Sequence, residues 1–221
     1  LVARAFNEIY DLQLTQEELM EIAFQGEMLT PSQCGRMDQC VVMGPGAVGL
    51  MEFTGEDTTT ATAVVFEKGL FFVVVDLGAS KDTVKILGDL NACFPFPSNP
   101  TQELMHKYVN EMKIITNNAV SAIERHDIET LATMMTISQK YFDEYCQPNC
   151  STELKSPYLH SLINDMKLKT ISLAIKGVGS QGDGSAQILC KDSTQQIEVL
   201  EYVKNTYNME AFTLTIPLYT D

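Results

Sequence analysis

The chain has 221 residues, of which 45% are hydrophobic and 20% charged, a composition that is typical of a globular protein and excludes disorder and collagen-like structure. Its 15 basic and 29 acidic side chains give a net charge of −14, which argues against DNA or RNA as a partner because phosphate backbones attract clustered Lys and Arg. The sequence has no apolar run of 18 residues, so it predicts no transmembrane helix and no membrane partner.

The first third of the chain predicts two helices followed by strands. Apolar residues at helical spacing predict a helix near the start, and a capping box of Thr15 and Glu18 opens a second helix that ends near Glu27. Runs of β-branched and aromatic residues then predict three strands, over residues 47–53, 61–66 and 70–75. The short break at residues 67–69 favours a hairpin between the last two strands.

The rest of the chain predicts more helices and a closing series of strands. Helical spacing and capping residues predict helices over residues 80–90, 99–123, 127–142 and 156–166. The tail predicts a strand, a long loop, a second strand, a helix and a last strand, over residues 172–176, 177–184, 185–190, 193–207 and 209–218. Because helices and strands mix without strict βαβ alternation, we predict an α+β fold, with a weak boundary between residues 76 and 100.

The six cysteines predict neither a metal site nor disulfides. They include no CxxC pair, and the three histidines have no zinc-ligand spacing. We interpret these residues as the reduced thiols of a cytoplasmic protein.

The first motif that carries chemistry leads from a loop into a short predicted helix, over residues 31–39. It presents Gly35 and Arg36 and then Asp38 in the first helical turn. One interpretation of Asp38 is structural, because the helix dipole favours a carboxylate at the N-terminus. The other is a general base directed into a cleft. Glu27, on the preceding helix, is either a solvated side chain or a second carboxylate that serves Mg²⁺.

The second motif is a glycine-rich loop between two predicted strands, over residues 177–184. Its four glycines permit positive φ angles and a close approach of the backbone to a ligand, and successive amides can form a nest that binds anions. The motif lacks the Walker pattern, and a strand follows it where a Rossmann fold has a helix. The alternatives are a phosphate-binding loop and a long flexible hairpin.

Together these motifs resemble the GHMP superfamily of small-molecule kinases, which includes galactokinase, homoserine kinase, mevalonate kinase and phosphomevalonate kinase. Residues 34–39 (Cys-Gly-Arg-Met-Asp-Gln) resemble the Cys-Gly-x-Met-Asp-Gln segment of galactokinases. The interval from Glu27 to Asp38 is similar to that between the Mg²⁺-binding Glu and the catalytic Asp of mevalonate kinases. Residues 176–183 resemble the family's third motif, a glycine-rich loop near the nucleotide phosphates.

The resemblance implies transfer of a phosphoryl group from ATP, with Mg²⁺, to a hydroxyl of a small molecule. It implies Asp38 as the catalytic residue and Glu27 as the metal ligand, while Arg36 either neutralises the transferred phosphoryl group or forms a surface salt bridge. The remaining implied residues are Gly177, Gly179, Ser180 and Gly182 at the nucleotide, and Gly35, Lys81 and Asp82 at the substrate.

The resemblance covers essentially the whole chain and implies the carboxyl-terminal two-thirds of such a kinase. It implies the remainder of a ribosomal-protein-S5-like nucleotide-binding domain over residues 1–78 and a ferredoxin-like α+β domain over residues 79–221. We expect the family's phosphate loop before Leu1. Gln181 and Asp183 replace a glycine and a small residue of the family motif, so the Asp183 carboxylate must turn away from phosphates or be matched by Mg²⁺.

Residues 34–39 favour a sugar as the alcohol substrate, because they are galactokinase-like. The alternative substrate is that of a mevalonate- or homoserine-type kinase. A different kind of function is also open, because the protein could be a non-catalytic relative that has the same fold and binds a ligand. Asp183 favours that reading, whereas the presence of Asp38 opposes it.

Overall fold

The computed structural model describes residues 1–30, 35–44, 46–53 and 59–217. These residues form two compact units, which divide between Val65 and Phe66. Helices and two antiparallel sheets are present, so the α+β prediction is confirmed. None of the helices in the described ranges has the length and apolar character that a membrane crossing requires.

The first unit consists of short helices and a two-stranded sheet. Its elements are α1 (Val2–Ile9), α2 (Gln16–Met28), α3 (Met37–Met43), β1 (Gly49–Phe53) and β2 (Thr59–Ala63). The capping box at the start of α2 is confirmed: the Glu18 amide donates to the Thr15 hydroxyl, and the Thr15 amide donates to the Glu18 carboxylate. β1 and β2 pair antiparallel, with Gly49 opposite Ala63.

The second unit contains the longer helices and a four-stranded sheet. Its strands are β3 (Leu70–Asp76), β4 (Ala174–Gly177), β5 (Ser185–Cys190) and β6 (Ala211–Ile216). Its α-helices are α4 (Thr83–Asn91), α5 (Leu104–Glu124), α6 (Ile128–Tyr141), α7 (Pro157–Asn164), α8 (Met166–Ile171) and α9 (Ser193–Tyr207). A π-helical turn at Phe142–Cys146 and a 3₁₀ turn at Gln147–Asn149 follow α6 directly.

The sheet of the second unit has the order β4-β5-β3-β6, with every pair antiparallel. The chain runs strand, helices, strand, strand, helix, strand, which is the ferredoxin-like arrangement. Two apolar clusters contribute to the core. One includes Val73 and Val199, and the other includes Phe72 and Leu131. The long loop between β4 and β5 therefore projects from one end of a sheet that is packed on both faces.

The predicted hairpin between residues 61–66 and 70–75 is wrong. β2 pairs with β1, whereas β3 lies between β5 and β6 in the other sheet. The physical reason is that β3 is apolar on both faces, which is typical of a central strand and not of a hairpin arm with one solvated face. Because β3 belongs to the second unit, the compact units divide earlier than residue 78, where the sequence placed the domain boundary.

Other element boundaries differ from the prediction by a few residues for local reasons. Asn99 accepts a hydrogen bond from the Gln102 amide at 3.0 Å, but it caps a turn, and α5 begins only at Leu104. Asp165 ends α7 and caps α8 by accepting from the Leu168 amide at 2.8 Å, which divides the single helix predicted there. Pro217 follows the edge strand β6, as the sequence predicted.

Candidate active site

Asp38 lies in the first turn of α3, and its side chain is exposed. Gly35, which is also exposed, precedes the helix by two residues. Residues 31–34, the beginning of this motif, lie outside the described residues. An exposed carboxylate at a helix start fits both interpretations of Asp38, because it is favoured by the dipole and accessible to a substrate hydroxyl.

Arg36 is held against α2 by two contacts. Its guanidinium forms an ion pair with Glu21, and its Cζ lies 3.9 Å from the centroid of the Phe24 ring. A hydrogen bond from Gln25 and the Arg36 guanidinium together lower the pKa of Glu21. The structure therefore contains the salt bridge that the sequence gave as the alternative role of Arg36, reinforced by a cation–π contact.

Glu27 is the penultimate residue of α2 and is half-buried. The Thr30 hydroxyl donates to the Glu27 carbonyl at 2.7 Å and lies 3.5 Å from its carboxylate Oε1. Among the described residues, no group of three or more His, Cys, Asp or Glu side chains could hold a metal ion. A single carboxylate still fits Mg²⁺, which usually binds one or two protein carboxylates together with phosphate oxygens and water.

The glycine-rich loop joins β4 to β5 and has an unusual backbone conformation. Gly179, Gln181, Gly182 and Asp183 have φ angles of 59°, 60°, 68° and 57°, respectively. The left-handed region is unfavourable for residues other than glycine, so the surrounding structure must stabilise Gln181 and Asp183 there.

Asp183 is stabilised because its carboxylate caps α7. Its two carboxylate oxygens accept from the amides of Tyr158, at 3.1 Å, and Leu159, at 2.8 Å. The side chain is only 6% exposed. Asp183 therefore turns away from the open side of the loop, which is one of the two arrangements that the sequence allows for this carboxylate.

We expect Asp183→Ala to lower the free energy of unfolding by about 2 kcal/mol, because it removes a helix cap and leaves alanine at a positive φ. Asp183→Asn is the matched control, since asparagine keeps an acceptor oxygen and tolerates the left-handed region. Urea denaturation of both variants measures the difference. Equal stability of Asp183→Ala and the wild type would contradict the capping role.

The glycines of the loop make room for neighbouring protein side chains at all but one position. A Cβ added at Gly177 would lie 2.7 Å from Gln181 Oε1. A Cβ at Gly182 would lie 2.9 Å from Ile86 Cδ1, and a Cβ at Gly184 would lie 2.9 Å from Lys81 Nζ. A Cβ at Gly179 would meet no atom within 4 Å. The part of the loop that is open to a ligand is therefore Gly179 with its neighbours.

Lys81 lies beside this open part of the loop. Its ammonium donates to the Ser180 hydroxyl at 3.1 Å, and burial lowers its pKa. The structure thus brings together Lys81 and Ser180, which the sequence assigned to the substrate and the nucleotide, respectively. Asp82 has a structural role as the cap of α4, because its carboxylate accepts from the Lys85 amide at 2.9 Å.

Behind the loop lies a set of polar residues that sequence reasoning missed, which we call the loop brace (Gln139, Asp143, His160 and Gln181). The Gln139 amide nitrogen donates to Gln181, at 2.8 Å, and to Asp143, at 2.9 Å. The other carboxylate oxygen of Asp143 lies 3.0 Å from His160 Nε2. The spacing of four between Gln139 and Asp143 is the one sequence signal for these contacts.

The imidazole of His160 is surrounded by acceptors. Nε2 faces the Asp143 carboxylate, and Nδ1 lies 2.8 Å from the Ser156 carbonyl. Both nitrogens therefore need a proton, and the hydrogen bond to Asp143 raises the pKa of His160 to about 9. The side chain is 28% exposed, so screening weakens the effect of this pair on stability.

The raised pKa predicts a stability that depends on pH. The ion pair stabilises the folded state fully below the unfolded histidine pKa of about 6.5, and its contribution is lost as pH rises through about 9. We expect the free energy of unfolding to fall by about 1–2 kcal/mol between these pH values, allowing for screening. The check is denaturant titration across this range with His160→Gln as the control. Parallel profiles for the two proteins would contradict the prediction.

The structure resembles solved kinases of small molecules. L. major mevalonate kinase in complex with R-mevalonate has a TM-score of 0.72 and 22% identity, with 98% of this chain and 63% of that chain covered. Lactococcus lactis galactokinase complexed with galactose has a TM-score of 0.68 and 11% identity, with 98% and 63% covered. Streptococcus pneumoniae phosphomevalonate kinase in complex with phosphomevalonate and AMPPNP has a TM-score of 0.75 and 13% identity, with 96% and 65% covered.

These neighbours are kinases of the GHMP superfamily, and the chain has their fold. The resemblance that the sequence motifs indicated is therefore confirmed at the level of the fold. The chain spans somewhat less than two-thirds of the length of these kinases. No protein-family model and no curated protein sequence matches it.

Proposed function

We propose that the full-length protein is an ATP-dependent kinase that transfers the γ-phosphoryl group to a hydroxyl of a small molecule. The observation that carries the proposal is the glycine-rich loop of the second unit, with Gly179 open to solvent and the Lys81 ammonium 3.1 Å from Ser180. An exposed glycine at a positive φ beside a cation is suited to the phosphates of a nucleotide. Gly177, Gly179, Ser180 and Gly182 form this nucleotide loop.

Phosphoryl transfer depends mainly on positioning and charge neutralisation, so it needs few catalytic groups from the protein. In the proposed mechanism Asp38 orients the substrate hydroxyl and accepts its proton, and Gly35 leaves room for the substrate beside it. Glu27 is the proposed ligand of Mg²⁺, which supplies charge neutralisation at the phosphates when bound. Arg36 acts by holding the start of α3 against α2, through Glu21 and Phe24.

We propose a sugar as the acceptor, because residues 34–39 resemble the galactokinase segment. A mevalonate-type substrate is the second candidate, favoured by the interval between Glu27 and Asp38. A non-catalytic relative would bind the nucleotide without transferring its phosphoryl group.

The test is an assay of the full-length protein with ATP, Mg²⁺ and a panel of galactose, mevalonate and homoserine, with ADP release and phosphorylated product measured together. Product formation with galactose supports the complete proposal, and product with mevalonate or homoserine supports the kinase but overturns the sugar. Nucleotide binding without any product supports the non-catalytic relative. Absence of both binding and product contradicts the proposed function.

A further inference from the structure

On its buried side, the first half of the nucleotide loop is held by the side chain of Gln139. Its carbonyl oxygen accepts from the Gly177 amide at 2.8 Å, and its nitrogen donates to Gln181 Oε1, also at 2.8 Å. Gly177 is the last residue of β4, and Gln181 lies at the centre of the loop. One amide therefore ties the beginning of the loop to its middle.

Gln181 fits this position because the loop is built around it. Its side chain is 2% exposed, and its amide occupies the space that a Cβ at residue 177 would take. Its own backbone amide donates to the Val178 carbonyl at 3.0 Å, which closes a turn around Gly179 and Ser180. The turn that is open to a ligand is thus supported from inside by a buried hydrogen bond.

Gln139 is in turn fixed by the remaining members of the loop brace. The second proton of its amide nitrogen is bound by Asp143, and the His160 imidazole holds the other oxygen of that carboxylate. Gln139 is only 4% exposed, and a buried amide whose hydrogen bonds are all made has a single favourable orientation. The orientation of Gln139 is therefore set before any ligand binds.

We propose that Gln139 is a positioning residue that holds the loop of Gly177 to Gln181 in its nucleotide-binding conformation. The consequence for nucleotide affinity rests on the proposed function, whereas the consequence for loop conformation does not. Without the loop brace, the chain between β4 and β5 samples other conformations, and the affinity falls with the fraction that remains competent. Gln181, which replaces a glycine of the family motif, is then the feature that makes this loop rigid in the absence of ligand.

The test uses Gln139→Leu and Gln181→Gly in the full-length protein, with Ser138→Ala as the control. Ser138 is a neighbour on α6 that is 3% exposed, and its hydroxyl has no hydrogen-bond partner among the described residues. Gln181→Gly keeps the proposal testable if Gln139→Leu does not fold, because glycine relieves the positive φ. Hydrogen exchange of the Gly177 and Gln181 amides is measured without nucleotide, and the Kd for AMPPNP is measured with Mg²⁺.

We expect faster exchange at both amides and a Kd about 10-fold higher in each single variant, from the smaller competent fraction. The double variant should be no weaker than the single ones, because both remove the same interaction. Ser138→Ala should match the wild type in both measurements. Unchanged exchange, or faster exchange with an unchanged Kd, would overturn the positioning role.

A wild-type protein that does not bind AMPPNP would contradict the proposed function but not the loop brace. In that case hydrogen exchange alone decides whether Gln139 holds the loop. Faster exchange in both variants would support the brace, and wild-type exchange rates would overturn it.

Discussion

Asp38→Asn should lower kcat of the full-length protein by about 10²–10⁴-fold, the range over which general-base assistance contributes. Asparagine has the shape of aspartate but cannot accept the proton of the substrate hydroxyl. The side chain is exposed in the first turn of α3, so the substitution should change the free energy of unfolding by less than about 0.5 kcal/mol. Steady-state kinetics at saturating ATP and substrate, together with denaturant unfolding, measure both quantities.

The matched control for this prediction is Asp127→Asn. Asp127 caps α6 by accepting from the Thr130 amide at 3.0 Å, and asparagine caps helices about as well as aspartate. This variant should keep wild-type kcat and stability. If Asp38→Asn retains near-full turnover, Asp38 is a helix-terminal carboxylate and not the base.

Gly182→Ala should lower the free energy of unfolding by about 3 kcal/mol, the largest stability effect that we expect within the loop. Residue 182 has a φ of 68°, which is strained for alanine. The added methyl group would also lie 2.9 Å from Ile86 Cδ1 and 3.3 Å from the backbone carbonyl of Glu153. A carbonyl in the main chain cannot move aside as a flexible side chain does.

Gly179→Ala separates the two contributions to this loss. Gly179 has a similar φ of 59°, but a methyl group there would meet no atom within 4 Å. The free energy of unfolding of this variant should therefore fall only by the cost of placing alanine at a positive φ, about 1 kcal/mol. Urea denaturation of both variants measures the difference, and equal losses would show that the contacts around Gly182 do not constrain it.

Local signals predicted much of the fold. Thr15 and Glu18 predicted the start of α2, and Asp127 predicted the start of α6, because a capping side chain and the helix that it caps are close in sequence. The strand over residues 185–190 and the helix over residues 193–207 were predicted with the bounds that the structure has. Their ends have local signals, because Gly184 precedes the strand and Asp192 caps the helix by accepting from the Gln195 amide at 2.8 Å.

Strand pairing could not be predicted in the same way. The sequence placed residues 61–66 beside residues 70–75 because a short polar break separates them, but β3 pairs with strands that follow it by more than a hundred residues. Pairing over such distances depends on which surfaces the whole sheet buries. The continuous apolar run over residues 70–75, which has no polar face, was the available sequence sign of a central strand.

Part of the candidate site in the second unit could be predicted from the sequence. The glycines at 177, 179 and 182 were identified from their spacing. Lys81 was predicted only as a substrate contact implied by the resemblance, and the structure brings it to Ser180. The residues that support the loop were missed. Gln139 lies in α6, Asp143 in the π-helical turn after it and His160 in α7, and only the fold brings His160 to the other two. Apart from the spacing of four between Gln139 and Asp143, these single polar residues give no sequence signal until the fold brings them together.

The central claim, that the loop between β4 and β5 binds nucleotide phosphates, is tested most directly by titrating the isotopically labelled full-length protein with AMPPNP and Mg²⁺. We predict saturable shifts of the Gly179 and Ser180 amide signals and of the Lys81 ammonium signal, with little change at Asp183, whose carboxylate remains bound to α7. Saturable binding that leaves Gly179, Ser180 and Lys81 unshifted, or no binding at all, would contradict the account.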